Sequence, residues 1–240
     1  MRIALVTGAN KGIGLAVAEG LAGLGVKVLI GARDPDKGAA AAKGIHSAEP
    51  ITLDVTDPAT IETAATEIGE KHGRLDILVN NAGISGDRSA QRPGAVDLQR
   101  VREIFETNLF GVIAVTEAML PLLRRSAGGR IVNVSSGTSS MGWNTDATHY
   151  LSRLPGTTGY PVSKAALNML TIQYAKALAA EGILVNAIAP GACATDFIQG
   201  MPIEIDRTAA EGAEIAVRLA TLGYGCPSGG FFDDDGAVPW

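Results

Sequence analysis

Short runs of β-branched and other apolar residues recur along the chain at intervals of roughly 25 residues, with helical patterns of apolar spacing between them. The runs cover residues 2–7, 26–31, 50–53, 76–80, 130–135, 183–189 and 230–232. Because they are almost continuously apolar, both faces of each strand should be buried, as in a parallel sheet covered by helices on both sides. The pattern predicts one doubly wound α/β domain over residues 1–240, with about seven parallel strands flanked by helices on both faces.

Two segments are longer than the connections usually found in such a fold. One covers residues 137–159, between the fifth strand and the next helix, and the other covers residues 191–207. In an open parallel sheet both segments leave the carboxyl ends of strands, which is where ligands bind in this architecture. We therefore expect substrate recognition in these two segments.

Composition and charge narrow the class of protein. Hydrophobic residues make up 46% of the chain and charged residues 19%, with a net charge of −5. This composition excludes a disordered chain and disfavours a nucleic-acid partner, which calls for clustered positive charge. We expect no secretion signal, because none is readable in the first residues, and the apolar runs are shorter than the roughly 20 residues that a membrane helix needs. We expect a soluble cytoplasmic protein with no membrane partner.

Cysteine and histidine are too sparse to suggest a disulfide framework or a metal site. Cys193 and Cys226 lack CxxC spacing, so we expect two free thiols in a reducing compartment. The three histidines, His46, His72 and His149, show no paired-ligand spacing. No metal site is predicted.

A glycine-rich turn follows the first strand, where residues 7–14 read TGANKGIG. Its three glycines permit a tight bend and let backbone N–H groups approach a pyrophosphate at the positive end of the following helix. The spacing GxxxGxG differs from both the GxGxxG fingerprint and the P-loop pattern, so a turn that binds no ligand is the alternative. With the strand and helix around it, the turn favours a Rossmann-type dinucleotide-binding domain.

The end of the second strand decides between the two nicotinamide dinucleotides. An acidic residue there would bind the adenosine ribose of NAD, whereas an arginine accommodates the 2′-phosphate of NADP. Arg33 stands at this position, and Lys11 in the glycine turn would add a second positive charge. Asp34 is one residue further on, and strand alternation should point its side chain away from that of Arg33. The sequence predicts NADP(H) as the cofactor.

A tyrosine and a lysine stand four residues apart at the start of a later helical pattern. Tyr160 and Lys164 should share one helix face, which brings the ammonium group near the phenol. A nearby cation lowers the pKa of a phenol toward the working pH, as acid/base exchange with a carbonyl or alcohol oxygen requires. Ser135 and Ser136 end the fifth strand and would bring hydroxyl groups to the same edge of the sheet, unless they only cap a loop or helix.

Taken together, these motifs resemble the short-chain dehydrogenase/reductase family in its single-domain form. The resemblance covers essentially the whole chain and rests on several motifs in the family's order. They are residues 7–14, Asp54-Val55, the NNAG run at 80–83, Asn108, Ser135-Ser136, Tyr160 with Lys164, Pro190-Gly191, and Thr195.

The resemblance implies a role for each residue of the catalytic group. Tyr160 would be the general acid, and Lys164 would hold the nicotinamide ribose hydroxyls and lower the pKa of the phenol. Ser136 would hydrogen-bond the substrate oxygen, with Ser135 as the alternative. Asn108 would hold a water that relays protons through Lys164, or would be a buried helix asparagine with satisfied hydrogen bonds.

The resemblance also implies a set of cofactor contacts. Asp54 would contact the adenine ring with Val55 beside it, and the segment from Pro190 to Thr195 would surround the nicotinamide. The full set of expected cofactor-binding residues is Gly8, Asn10, Lys11, Gly12, Ile13, Gly14, Arg33, Asp54, Val55, Asn81, Ala82, Gly83, Tyr160, Lys164, Pro190, Gly191 and Thr195. Asn81 is expected to be partly structural as well.

One departure from the family pattern concerns the segment before the tyrosine. Ser136 and Tyr160 are 24 residues apart, which is farther than in the shortest family members and resembles the carbonyl reductase branch. The extra residues affect a pocket wall and the surface through which family members associate. The sequence therefore leaves the oligomeric state open between a monomer and a homo-oligomer, either dimer or tetramer.

The predicted function is NADPH-dependent reduction of a ketone or aldehyde to an alcohol, with a small-molecule carbonyl or alcohol as the partner. Apolar residues of the two long segments favour a partly apolar substrate. They are Met141, Trp143, Leu151, Phe197, Ile198 and Met201. The alternatives are a non-catalytic NADP(H)-binding sensor and an alcohol dehydrogenase that runs in the oxidative direction.

Overall fold

A computed structural model describes residues 1–198, 205–223 and 226–240, and its strands form one seven-stranded sheet. The strands pair in parallel in the order β3-β2-β1-β4-β5-β6-β7. They are Ile3–Thr7 (β1), Lys27–Ala32 (β2), Ala48–Thr52 (β3), Ile77–Asn80 (β4), Arg130–Val134 (β5), Leu184–Ile188 (β6) and Phe231–Phe232 (β7). The predicted doubly wound α/β class is confirmed, and strand ends differ from the prediction by one or two residues.

Eight α-helices are found in the described part of the chain. They are Gly12–Gly23 (α1), Pro35–Lys43 (α2), Pro58–His72 (α3), Leu98–Phe105 (α4), Gly111–Leu123 (α5), Met141–Thr145 (α6), Tyr160–Leu178 (α7) and Ala209–Thr221 (α8). A π-helical segment, Glu106–Phe110, joins α4 to α5. The long segment over residues 137–159, predicted only as a connection, contains the short helix α6 and a 3₁₀ turn at Tyr150–Arg153.

Strand alternation divides the core between the two faces of the sheet. Ala4 and Val6 of β1 face the layer of α1, α2 and α8, whereas Ile3 and Leu5 face the layer of α3, α5 and α7. Since successive strand side chains point to opposite faces, a run of apolar residues fills both layers at once. This arrangement explains why the strands read as continuous apolar runs in the sequence.

The carboxyl ends of the strands form the edge on which the candidate site lies. The chain runs from β1 outward to β2 and β3, and then returns to place β4 on the other side of β1. The connections that follow β1 and β4 therefore leave in opposite directions and open a crevice between them. Glycines follow both strands at this point: three lie within residues 8–14 after β1, and Gly83 lies after β4.

The helical run Leu98–Leu123, made of α4, the π segment and α5, is the one described stretch that is long and apolar enough to cross a membrane. Half of its most apolar 18-residue window is buried within the protein. Such burial is also what a core helix of a globular fold shows, so length and composition are weak grounds for a membrane span here. Val115 and Met119 of α5 belong to the core beneath the sheet.

Gly14 in the first turn of α1 shows how closely the glycine turn packs against the segment after β4. A methyl group at Gly14 would overlap Asn81 Nδ2 and lie 2.7 Å from Gly8 O. Gly23, at the other end of the same helix, has no atom within 4 Å of the equivalent position. Packing therefore requires glycine at position 14 of this helix, whereas position 23 has room for a larger side chain.

We predict opposite effects on stability for alanine at these two positions. Gly14→Ala should lower the free energy of unfolding by about 1–3 kcal/mol, because the turn or Asn81 must shift to make room. Gly23→Ala should raise it by up to about 1 kcal/mol, because alanine loses less backbone entropy in a helix. Urea unfolding of both variants beside the wild type measures the two effects, and equal stabilities would contradict this account of the packing.

Candidate active site

The glycine turn leaves the first backbone N–H groups of α1 available to a ligand. Within the described chain, Lys11 at the N-cap of α1 makes no side-chain cap hydrogen bond. By contrast, α2, α3, α4 and α8 are capped by Asp34, Asp57, Asp97 and Thr208. Uncapped N–H groups at a helix N-terminus form a site for an anion such as a phosphate. The turn therefore fits the pyrophosphate of a dinucleotide.

Thr7 and Asn81 hold this turn against the end of β4. Thr7 Oγ1 accepts hydrogen bonds of 3.0 Å from the backbone N–H groups of Asn81 and Ala82. Asn81 Nδ2 donates to Thr7 O at 2.9 Å and to Gly8 O at 3.2 Å. Asn81 thus has the structural role expected for it, and Ala82 and Gly83 continue along the same crevice.

Arg33 and Asp34 at the end of β2 have different surroundings. Arg33 is exposed, and within the described residues its guanidinium makes no hydrogen bond or ion pair. Asp34 caps α2 by accepting hydrogen bonds of 3.1 Å from the N–H groups of Asp36 and Lys37. These bonds lower the pKa of Asp34, so its carboxylate is committed to the helix. At the end of β2 the guanidinium of Arg33 is therefore available to bind a ligand, whereas the carboxylate of Asp34 is not.

Lys11 is not free in this structure, which differs from its expected role as a second cation for a phosphate. Its Nζ donates to Asp196 Oδ2 at 2.9 Å, and both side chains are largely exposed. Thr195, beside Asp196, approaches the turn so closely that a methyl group at Gly12 would lie 3.6 Å from its Cγ2. The segment after Gly191 therefore reaches across the crevice to the glycine turn. An exposed ion pair of this kind is weak and can be exchanged for another partner.

Asp54 and Val55 follow β3 on the same edge of the sheet. Asp54 Oδ1 accepts hydrogen bonds from the N–H of Thr56 at 2.9 Å and from its hydroxyl at 2.7 Å. Val55 is buried and packs against Gly111 at the start of α5. Both residues lie where strand order places the outer part of the crevice.

Tyr160 is the first residue of α7, and its phenol hydrogen-bonds with Ser136, which follows β5 by two residues. Ser136 is half-buried, and its hydroxyl is 2.9 Å from Thr138 Oγ1. The tyrosine ring lies 5.6 Å from the ring of Phe197, centroid to centroid. The phenol and the serine hydroxyl are thus together beside an aromatic wall.

Ser135 has a different environment, which separates the two candidate serines. It is 2% exposed, and its Oγ donates to Asn168 Oδ1 at 2.6 Å. Asn168 Nδ2 donates in turn to Ser139 Oγ at 2.9 Å, and Ser139 Oγ donates to Ser136 O at 2.6 Å. This closed network fixes the turn after β5 from behind. Of the two hydroxyls, that of Ser136 is the one that faces the crevice.

Lys164 is buried behind the tyrosine. Its Nζ donates to Val134 O at 2.7 Å and lies 6.0 Å from the centroid of the Tyr160 ring. Burial disfavours the charged amine and lowers the pKa of Lys164 to about 8. The i, i+4 spacing does place the two side chains on one face of the helix, as predicted.

The pKa of the Tyr160 phenol differs in direction from the expectation. Burial raises the pKa of Tyr160 to about 12, and hydrogen bonding with Ser136 offsets only part of that rise. The predicted lowering of the Tyr160 pKa by Lys164 is not found here, and the Lys164 amine donates its hydrogen bond to Val134 O at the end of β5. A phenol with a high pKa keeps its proton at neutral pH and can donate it.

Asn108 lies in the π-helical segment and is fully buried. Its Oδ1 accepts from Ile84 N at 2.9 Å, while its Nδ2 donates to Ile84 O at 2.9 Å and to Ser163 Oγ at 3.1 Å. A methyl group at Gly83 would lie 3.2 Å from Asn108 Oδ1 and 3.4 Å from Lys164 Nζ. Asn108 is therefore a buried asparagine with satisfied hydrogen bonds, which was one of its two expected roles. It also lies close to Lys164, the residue through which the expected proton relay would run.

The segment after β6 is anchored by Arg207, whose importance the sequence did not indicate. Arg207 Nε donates to Pro190 O at 2.9 Å, and its guanidinium also pairs with Asp234. Gly191 has a φ of +74°, and a methyl group there would lie 3.0 Å from Arg207 Nε. The acidic run at 233–235 thus anchors a turn rather than forming a separate site.

The two long segments carry the apolar side chains that were expected to contact the substrate. Trp143 stacks on His149 with centroids 4.7 Å apart and packs over Gly137, next to Ser136. Leu151 is buried beneath it, and Met141 is exposed. Met201, also among these expected side chains, lies outside the described residues. Cys193 and Cys226 are free thiols, as predicted.

Three residues of this region were missed by sequence reasoning because their partners are far away along the chain. They are Gln91, Asp196 and Arg207, which contact Tyr160, Lys11 and Pro190. No local pattern distinguishes them from ordinary loop polar residues.

Comparison with known proteins agrees with this geometry. The family model for short chain dehydrogenases matches residues 2–204. Short-chain dehydrogenase anuI from Penicillium roqueforti is 40% identical over 230 residues, covering 92% of this chain and 89% of the relative. Salutaridine reductase from Papaver bracteatum is 33% identical over 298 residues, covering 97% of this chain and 94% of the relative.

The crystal structure of NADPH-bound carbonyl reductase from chicken fatty liver superimposes with a TM-score of 0.85 at 32% identity, covering 100% of both chains. The protein belongs to the short-chain dehydrogenase family. It is an oxidoreductase of the dehydrogenase or reductase type that uses a nicotinamide cofactor.

We predict that Lys164 titrates well below the ordinary range of a lysine. NMR of isotope-labelled lysine side chains should show one signal losing its proton near pH 8, because burial lowers the pKa of Lys164 to about 8 from 10.5. The signal should be missing from a Lys164→Met variant. A Lys164 signal that titrates at 10.5 would contradict the buried position of the amine.

Proposed function

We propose that the protein is an NADPH-dependent carbonyl reductase that converts a ketone or aldehyde to an alcohol. The observation that carries the proposal is the Tyr160 phenol beside the Ser136 hydroxyl, with the buried amine of Lys164 on the same face of α7. Reduction of a carbonyl needs a proton donor, whereas oxidation of an alcohol needs the phenolate. A tyrosine phenol is protonated at neutral pH and can act as this donor, so the position of Tyr160 beside Ser136 supports reduction, while the oxidative alternative would use the same residue as the base.

In the proposed reaction Tyr160 donates its phenolic proton to the carbonyl oxygen of the substrate. Ser136 donates a hydrogen bond to the same oxygen and stabilises the negative charge that develops there. The Ser136 turn is fixed from behind by the network of Ser135, Asn168 and Ser139, so the hydroxyl is preorganised. When bound, NADPH supplies the hydride.

Side chains around the crevice are proposed to hold the cofactor in a fixed orientation. Backbone N–H groups at the start of α1 would bind the pyrophosphate, and Arg33 with Lys11 would bind the 2′-phosphate. Lys164 would bind the nicotinamide ribose and return a proton to Tyr160, with Asn108 beside it. The remaining proposed contacts are Asp54 and Val55 at the adenine, Asn81, Ala82 and Gly83 along the crevice, and Pro190, Gly191 and Thr195 at the nicotinamide.

The proposed substrate is a small to medium carbonyl compound with an apolar part. Phe197 lies beside Tyr160, and Trp143 packs over Gly137 next to Ser136, so both offer apolar surface near the reacting groups. The names of two relatives, a carbonyl reductase and salutaridine reductase, support reduction. We further propose that residues 1–240 form one domain; dimer, tetramer and monomer all remain consistent with this function.

Replacement of the proposed acid gives the direct test. Tyr160→Phe should fold and bind NADPH but lose about 10²–10⁴-fold in kcat, because the proton donor is gone. Oxidation of NADPH and of NADH is followed by absorbance against aldehydes, aryl ketones, keto esters and diketones. Turnover at the wild-type rate in this variant would rule out Tyr160 as the proton donor. Tight NADPH binding by a wild type without turnover would favour the sensor alternative.

Cofactor choice is tested at Arg33. Arg33→Asp should weaken NADPH binding roughly ten- to hundred-fold and leave NADH binding less affected, because the charge-assisted contacts to the 2′-phosphate are lost. Arg2→Asp is the matched control, since it makes the same charge change on an exposed residue beside β1 at the opposite edge of the sheet. Fluorescence titration gives both dissociation constants. An unchanged preference for NADPH would remove Arg33 from the phosphate site.

A further inference from the structure

Gln91 is a polar side chain with no exposed surface, in the loop that connects β4 to α4. Both the nitrogen and the oxygen of its side-chain amide are hydrogen-bonded to the protein backbone. Its Nε2 donates to Ser85 O at 2.9 Å and to Asp87 O at 3.0 Å. Its Oε1 accepts a 2.8 Å hydrogen bond from the backbone N–H of Tyr160. A buried amide that satisfies three separate partners can adopt only one orientation.

The start of α7 depends on this amide because the helix has no cap of its own. The N-cap position is Gly159, which has no side chain to accept a hydrogen bond, and Pro161 at the second position has no N–H. A methyl group at Gly159 would lie 2.5 Å from Gln91 Oε1. Glycine at this position therefore makes room for an acceptor that comes from 69 residues earlier in the chain.

The backbone of Gln91 adds a second connection to the same segment. Gln91 O accepts hydrogen bonds from Thr158 N at 2.9 Å and from Thr158 Oγ1 at 3.0 Å. The loop after β4 thus holds residues 158–160 through both main chain and side chain. Without Gln91, the partly buried Tyr160 N–H would lose its partner, which carries a cost in free energy.

The other end of Tyr160 is held from a different direction. Tyr160 O accepts a 2.7 Å hydrogen bond from Ser163 Oγ, and Ser163 Oγ accepts one of 3.1 Å from Asn108 Nδ2. The peptide groups on both sides of the tyrosine are therefore fixed by side chains. Of these three side chains, Gln91 is the one that bonds to the N–H of Tyr160.

We propose that Gln91 is a positioning residue that sets the place of the Tyr160 phenol by capping the catalytic helix from the loop after β4. The proposal rests on the proposed function, since it gives Gln91 a role in turnover through Tyr160. Proton transfer depends steeply on the distance between donor and acceptor, and a shift of about 1 Å costs up to 10²-fold in rate. A loosened Tyr160 should therefore lower kcat more than it affects cofactor binding.

The test compares Gln91→Met, which keeps the length of the side chain and removes its hydrogen bonds, with Gln91→Glu, which keeps an acceptor for the Tyr160 N–H. Gln99→Met is the control, because Gln99 is an exposed glutamine on α4. In Gln91→Met, kcat for a carbonyl substrate should fall about tenfold or more while the Kd of NADPH stays within about twofold of the wild type. Gln91→Glu should recover part of the lost kcat.

A second readout does not require turnover. Amide hydrogen exchange of tyrosine-labelled protein should become about tenfold faster or more at Tyr160 in Gln91→Met, and stay near the wild-type rate in Gln91→Glu. Tyr174, further along α7, is the internal reference, and Tyr160→Phe identifies the signal. If the wild type reduces no carbonyl compound, the proposed function fails while exchange at Tyr160 still decides whether Gln91 holds the helix start. Unchanged exchange at Tyr160, or equal acceleration at Tyr160 and Tyr174, overturns the proposal.

Discussion

The parallel pairing of β1 with β4 is the constraint on which the rest of the site depends. Leu5 pairs with Leu78 at the centre of the sheet, and Thr7 Oγ1 joins the two strand ends by accepting from the N–H groups that follow β4. Because the chain turns away in opposite directions after these two strands, a crevice opens between the glycine turn and the segment after β4. Strands β2, β3, β5 and β6 then deliver their terminal residues to the same edge.

Buried polar side chains convert this edge into a site with fixed geometry. Asn108, Asn168 and Gln91 each lie within the fold, and the amide of each bonds to at least one residue far away along the chain. An unsatisfied buried amide would be costly, so each of these side chains defines the position of the segments that it joins. Ser136 and Tyr160 stand in front of these networks and keep partly exposed surface for a ligand.

Burial also sets the electrostatics of the pair on α7. It lowers the pKa of Lys164 to about 8 and raises the pKa of Tyr160 to about 12. Both shifts have the same cause, since a buried environment penalises the charged form of either group. The expectation from the i, i+4 spacing considered only the attraction between ammonium and phenolate. In this structure desolvation is the largest cause of both shifts, and the Lys164 amine donates to Val134 O.

The sequence by itself determined the class of sheet, because seven apolar runs separated by helical patterns leave few other arrangements. The start of α1 directly after the TGANKGIG turn followed from the same pattern. It also named Tyr160, Lys164, Ser136 and Arg33, whose motifs are local or lie at strand ends. Only the tertiary structure decided the ion pair of Lys11 with Asp196, the anchoring of Pro190 by Arg207, and the cap that Gln91 provides. Each joins residues far apart in the chain, and periodicity carries no information about such partners because side-chain contacts between loops are fixed only when the sheet brings the loops together.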